Sequence, residues 1–423
     1  MKHIPILLLL LLSIVLRAQD EGLRNYNHVY LPNIKTVQFH MDGFPTVFPI
    51  LDLNSPSALI LAFDDLDADV KNYTYTIVHC DMNWEPSNLS DMEYIDGFLE
   101  ERITDSQFSF KTLIPFTHYR VSLPNNNFRW TKSGNYLLKV YEDQDEKKLA
   151  ITRRFMVVEP TVLITPQFVR PNVVSKLRTH QEIDFVVDHQ KLDIRNPLQE
   201  IRAVILQNGR WDNAVTNLPP LFFRTNQLLF DYQDKVVFPA GREFRFLDMR
   251  SLRGRNANIG AIERDDEGYY VTLLKDEKRF NQVYLSRQDI NGNFVIETFD
   301  QQDPDLASDY ANVLFTLYSP QPLIDTDIYL FGALTDWQLK PEYKMVYNDS
   351  VNGYVSRALL KQGYYEYAYA AVDVQSKDKV SSLSEIEGDW HESENLYTIL
   401  IYYHPFGERY DRIIGVLTIS SNF

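Results

Sequence analysis

The chain has 423 residues, 44% hydrophobic, 24% charged and 13% aromatic, with a formal net charge of −16. This is the composition of a folded chain of roughly two to four domains, not of a disordered one. The acidic balance excludes the basic footprint that nucleic acid or an anionic lipid surface requires.

The first residues read MKHIPILLLLLLSIVLRAQD. Lys2 precedes an apolar run from Ile4 to Leu16, and the small Ala18 stands at a cleavage position. The pattern predicts a secretory signal peptide over residues 1–19, and the run is short for a membrane span. No later apolar run is long enough to cross a membrane. Cys80 is the single cysteine, so the exported domains are expected to be held by their cores and not by disulfides.

Short alternating runs follow: SALILAFDDL, NYTYTIVHC, HYRVSLPN, GNYLLKVYED and LAITRRFMVVEP, with Pro, Asn and Gly between them. They predict an antiparallel, Ig-like sandwich over residues 20–160. EPTVLITPQFVRP, with Pro160, Pro166 and Pro171, reads as a stiff connector or an edge segment. EIDFVVDH, IRAVILQNGRW, NQLLFDY, FRFLDMRS, YVTLLKD and FVIETFD predict a second sandwich over 161–303, closed by a polar linker, DQQDPDLASD. YANVLFTLYSP, TDIYLFGAL, GYYEYAYAAVD, NLYTILIYYHP and DRIIGVLTI predict a third over 304–423. No long stretch has a 3.6-residue apolar period. The fold class expected is all-β, three consecutive Ig-like sandwiches after a signal peptide.

Motifs for chemistry are scarce. Neither G-x-x-x-x-G-K nor G-x-G-x-x-G after a strand is present, and G-x-S-x-G is absent. Zinc needs closely repeated Cys and His. His79 and Cys80 are adjacent in a strand, so their side chains point to opposite faces. A buried core thiol is the leading reading of Cys80, ahead of an exposed redox thiol or a nucleophile. DDLDAD, residues 64–69, offers alternating carboxylates. A calcium loop of the helical kind wants Gly at its sixth and Glu at its twelfth position, where, counted from Asp65, the chain has Val70 and Thr76. The plainer reading is a solvated turn. Glu93, Asp96, Glu100 and Glu101 could furnish a glycosidase pair, or form a charged loop rim. The locally basic stretch AGREFRFLDMRSLRGRNANIG carries Arg242, Arg245, Arg250, Arg253 and Arg255. These either pair with the chain's own acid or form a docking patch for an acidic partner.

Two resemblances go beyond composition. IYLFGALTDWQLKPEYKMVYNDSVNGYVSRALLKQGYYEYAYAAVD resembles the early-set Ig-like modules found beside glycogen- and starch-acting enzymes, with Trp337 as the one matching aromatic platform. That resemblance implies a fold more than α-glucan binding, and a carbohydrate-binding protein is the alternative function. The longer strings YTYTIVHCDMNWEPSNLSDMEYIDGF, SFKTLIPFTHYRVSLPN, SGNYLLKVYED, ITRRFMVVEP, FPAGREFRFLDMRSLR and SENLYTILIYYHPFGERYDRIIGVLTI resemble the type IX secretion system plug proteins of Bacteroidota. The family implies a non-enzymatic periplasmic protein with no catalytic residues, no cofactor and no metal. Its implied partner is a large outer-membrane β-barrel translocon, whose periplasmic mouth it closes. Met82, Trp84, Tyr94 and Phe98 put large side chains on one loop, and together with the five arginines are the candidate contact residues. For Trp84 the alternative is a cap on the first domain's core.

Overall fold

The computed structural model describes residues 22–190 and 192–421. The expected signal peptide, 1–19, lies outside them. The described chain is all-β, and no described helix is long and apolar enough to cross a membrane.

The first sandwich pairs two sheets. One runs His28–Val29, Leu149–Val158, Gly134–Glu142, Tyr73–Cys80, Glu100–Arg102, with Ile50–Asp52 parallel to Leu149–Val158. The other runs Ile34–Met41, Leu59–Asp65, Thr117–Leu123, Asp105–Phe108. Aromatic residues fill the space between them. Phe63 stacks on Tyr119 and Tyr136 on Phe155, both pairs at 5.2 Å between centroids. Such pairs contribute beyond their buried area, which is how a disulfide-free sandwich makes use of so many Tyr and Phe.

The middle sandwich departs from the linear expectation. Its first sheet runs Leu163–Val169, His180–Asp188, Gln227–Phe230, Phe222–Arg224. Its second runs Arg210–Leu218, Ile201–Gln207, Leu396–Tyr403, Arg412–Ser420. The last two strands of the chain therefore belong to the middle sandwich. Ile201–Gln207 pairs antiparallel with Leu396–Tyr403 in an unbroken register from Ile201↔Tyr403 to Gln207↔Tyr397. The third sandwich is an insertion between them. Its sheets are built on Gly363–Asp373, flanked by Arg245–Asp248, Phe294–Ile296 and Thr326–Phe331, and on Ile259–Arg264, Tyr269–Leu273, Tyr310–Tyr318, Gly353–Lys361 and Val346–Asn348.

The boundaries 161–303 and 304–423 are thus corrected by the strand pairing. The physical reason lies in the closing strands. Ile399, Ile401, Tyr403 and Ile414 fill the middle core, while Leu400, Tyr402 and Ile413 face the first sandwich. A strand apolar on both faces needs a cover on each side, and only the middle position provides two. The polar stretch 300–309 is likewise no interdomain linker. It holds the short helix Pro304–Ala307, capped by Asp303, inside the third sandwich. Leu163–Val169 is an edge strand on His180–Asp188, one of the two readings of its proline-rich sequence.

Candidate functional site

The three sandwiches meet along buried seams, and these seams absorb most of the residues that the sequence offers for function. Leu137, Met156 and Val158 on the outer face of the first sandwich pack on Val204, Leu206, Leu400 and Tyr402 of the middle one. Trp84 lies in this seam, 3% exposed. Its loop turns at a positive φ of 68°, which tips the indole inward. The ring meets Trp211 edge-on at 5.1 Å, and the Arg154 guanidinium stands 4.3 Å from the Trp84 centroid and 5.1 Å from that of Trp211. Burial is the main cause that holds the Arg154 pKa down, to about 10. The Met82 amide donates to Asp411 Oδ2 at 2.7 Å, and Tyr402 Oη donates to Asn135 Oδ1 at 2.8 Å.

Cys80 is part of the same seam and 1% exposed. Burial pushes its thiol up to about 12, so it is neither a thiolate nucleophile nor a ready ligand. His79 is on the opposite face. Its Nδ1 lies 2.9 Å from Ser87 Oγ and its Nε2 3.1 Å from the Ser133 carbonyl, and burial lowers its pKa. Gly134 sits against this ring, where a Cβ would come within 2.4 Å of Nε2. Among the described residues no cluster of His, Cys, Asp and Glu is arranged to hold a metal ion.

The seam between the first and third sandwiches is polar. Asp64, wholly buried, accepts from Lys361 Nζ and Tyr310 Oη, each at 2.7 Å, and lies 2.7 Å from His118 Nδ1. Burial opposes ionisation of Asp64, yet Lys361 and then His118 hold its pKa below the usual range. Lys361 Nζ also donates to the Asp305 carbonyl and stands 4.0 Å from the Phe116 centroid. Nearby, the Leu113 amide donates to Asp309 and the Phe110 amide to the Leu306 carbonyl, both at 2.9 Å. The expected solvated turn of DDLDAD is therefore corrected at its start: Asp64 and Asp65 are buried. Sequence reasoning missed this network. Its signal was two acids directly after the fully apolar LILAF, where a strand buried on both faces carries its charges inward.

The remaining candidates divide between interior and surface. Tyr94 is buried in the first core, its hydroxyl hydrogen-bonded to Asp91, so its expected surface role is not available. Arg245 is buried too, donating to Glu387 at 3.0 Å, Asp276 at 2.8 Å and the Glu277 carbonyl. Glu387 is also held by Arg279, and despite its burial these two cations pull it down to about 2. Arg250 forks onto Asp248 and reaches Glu297 at 3.1 Å. Arg242 donates to the carbonyls of Arg279 and Val283. Arg253 and Arg255 are exposed, next to Asp300 and the Gly260 carbonyl. The arginine stretch thus satisfies itself within the third sandwich.

Met82 is half-buried and Phe98 is 64% exposed. Met92 and Phe406 are more exposed still, at 83% and 93%. The loop bearing Phe406 is tied to the helix bearing Met92 by Arg409 and Glu93. Trp337 is half-buried, 5.5 Å from Phe331 and 5.6 Å from Phe244, with the Arg210 guanidinium 5.4 Å from its centroid. Gly292 lies so close to the indole that a Cβ there would stand 2.4 Å from Cη2. Phe331, Phe244, Gly292 and Arg210 thus take up much of the ring's surroundings.

A family model described as the type 9 secretion system plug protein 1st domain matches residues 34–159, nearly the whole first sandwich. No curated protein matches the chain. Among solved structures, the crystal structure of a hypothetical protein from Parabacteroides merdae is similar, with 34% identity and a TM-score of 0.89 over 94% of this chain and 99% of that one.

Proposed function

We propose, from the match of residues 34–159 to the plug protein 1st domain of the type 9 secretion system, that the chain is a non-enzymatic plug of the periplasm. In this reading it binds and closes the periplasmic opening of the system's large outer-membrane β-barrel translocon. The observation that carries the reading is the match over residues 34–159. The seams around Trp84 and Asp64 support it, because a plug must resist deformation, and seams of buried apolar and paired polar groups leave few soft joints between sandwiches. The contact surface proposed is the exposed apolar set Phe98, Met92 and Phe406, not the enclosed Trp84.

The test is a tagged pull-down of the full mature chain from detergent-solubilised outer membranes of the native cell. Recovery of one very large β-barrel supports the reading. Cells lacking the chain are then expected to admit large polar antibiotics through the unplugged barrel. Recovery of no barrel, with unchanged permeability in the deletion strain, overturns it.

A further inference from the structure

The strand Ile34–Met41 is the edge of its sheet. It pairs with Leu59–Asp65 on one side, and among the described residues no second strand pairs with it on the other. That free side lines a groove between the first and third sandwiches, closed at one end by Leu396, Thr398 and Val416 of the middle one. The groove has two compartments, of about 730 and 640 Å³. Ile34–Val37 line the first and Val37–Met41 the second, and both compartments share Arg153, Phe294, Ala333 and Asp336. The opposite wall is the segment 333–343 of the third sandwich. At about 3.3 Å per residue, the eight-residue edge runs roughly 26 Å along it.

An edge strand is a row of free amide donors and carbonyl acceptors, and solvent-facing edges are commonly blunted by charge or covered. Here the edge faces a walled slot. A bulge interrupts it between Lys35 and Gln38, with Thr36 at φ 51° and its hydroxyl bonded to Tyr310 at 2.6 Å. The bulge lies where the compartments meet, so a strand laid along the edge would pair in two short runs.

The charge of the slot is opposite to that of the chain. The first compartment is lined by Arg24, Lys35, Arg153 and Lys340 against Asp336 and Glu342, within a chain of formal net charge −16. Asp336 is already committed to Arg153 at 3.4 Å and Lys340 at 2.7 Å. Lys35 is half-buried and forms no ion pair within 4.0 Å with a described residue. Burial lowers its pKa, which Glu342 opposes and Lys340 reinforces. Glu342 acts on it across the slot, but no carboxylate of a described residue is in direct contact with it.

We propose that this groove takes an extended polypeptide segment of a partner, carrying a carboxylate, which adds as a strand along Ile34–Met41 and sets its acidic side chain on Lys35. Main-chain pairing supplies affinity and the cation supplies selection, the division of labour common to strand addition. The assignment does not rest on the translocon reading, because it follows from the edge, the slot and the charge alone.

The probe is a displayed library of random nine-residue peptides, selected on the full mature chain. Enriched binders are expected to carry Asp or Glu and to slow hydrogen exchange at the amides of residues 35–41. They are expected to lose at least about tenfold in affinity when Lys35→Glu reverses the charge. Unchanged exchange of the other strands in Lys35→Glu shows that the variant is folded. Absence of any enriched binder overturns the proposal. So do binders that leave the 35–41 amides unprotected, or that bind Lys35→Glu equally well. Barrel recovery in the pull-down is read separately, so either idea can fail alone.

Discussion

Asp64 of the first sandwich and Lys361 of the third lie 2.7 Å apart, with side-chain exposures of 0% and 1%. An ion pair withdrawn from water in this way tolerates the loss of both members better than the loss of one. Removing Lys361 leaves the buried Asp64 only Tyr310 and His118, at a cost of up to about 3–5 kcal/mol. Lys361→Met is therefore expected to lower the stability of the full mature chain by about that amount in urea unfolding. The pair Asp64→Leu with Lys361→Met is expected to recover part of it. A single variant as stable as the wild type would show that the pair is not essential to the seam.

Trp84 and Phe406 make a contrasting pair. Trp84→Ala removes a large indole from a closed seam and leaves Arg154 without one of its two ring partners. A loss of about 3–5 kcal/mol is expected, with faster hydrogen exchange in 201–207 and 396–403. Phe406→Ala changes an exposed side chain and is expected to stay within about 0.5 kcal/mol of the wild type. In the pull-down, Phe406→Ala is expected to recover less translocon. Full recovery by Phe406→Ala would remove that residue from the proposed contact.

Two buried glutamates give opposite pH dependences. Glu387 has its folded pKa depressed to about 2 by Arg245 and Arg279, against an ordinary value of 4.5. Its contribution is complete above about 4.5 and is lost as pH falls towards 2. Glu366 is raised to about 8, by burial first and then by the charge of Asp289. There the folded state keeps a proton that the unfolded state releases. Its contribution is complete below about 4.5 and is lost as pH rises to 8. Urea midpoints from pH 3 to 8.5 are expected to show Glu387→Gln flattening the acid limb and Glu366→Gln flattening the other. A Glu366→Gln profile parallel to the wild type between pH 4.5 and 8 would contradict the second assignment.

The Cys80 thiol, buried and pushed up to about 12, is expected to be inert to maleimide in the folded chain at pH 7.5. It is expected to react within minutes once the chain is unfolded in guanidinium. Rapid labelling of folded protein would place the thiol at the surface and weaken the account of the seam.

The all-β class was legible in the alternation of runs such as NYTYTIVHC and in the density of turn residues. The burial of Cys80 was legible from its residue type, since a free cysteine is among the most often buried side chains. What periodicity could not reveal was partnership. LYTILIYY looks the same whether it closes the third sandwich or the second, because alternation reports how many faces are buried and not what covers them. For the same reason Trp84, Tyr94 and Arg245 read as surface candidates. Large or charged side chains in turn-rich sequence mark an interface, but not whether the other half comes from a partner or from another part of the same chain. Asp64 carried the same ambiguity, since its lysine lies 297 residues further along.

The return of residues 396–420 to the middle sandwich sets an order of assembly. In a chain that emerges N-terminus first, Ile201–Gln207 appears nearly two hundred residues before Leu396–Tyr403, the strand it must pair with. Until then its apolar edge stays unmatched while the inserted third sandwich forms beside it. Closing so long a loop late is slow and exposes a sticky edge meanwhile. The last two strands thus act as a keystone: a chain interrupted shortly before Leu396 would hold two finished arches and an open centre.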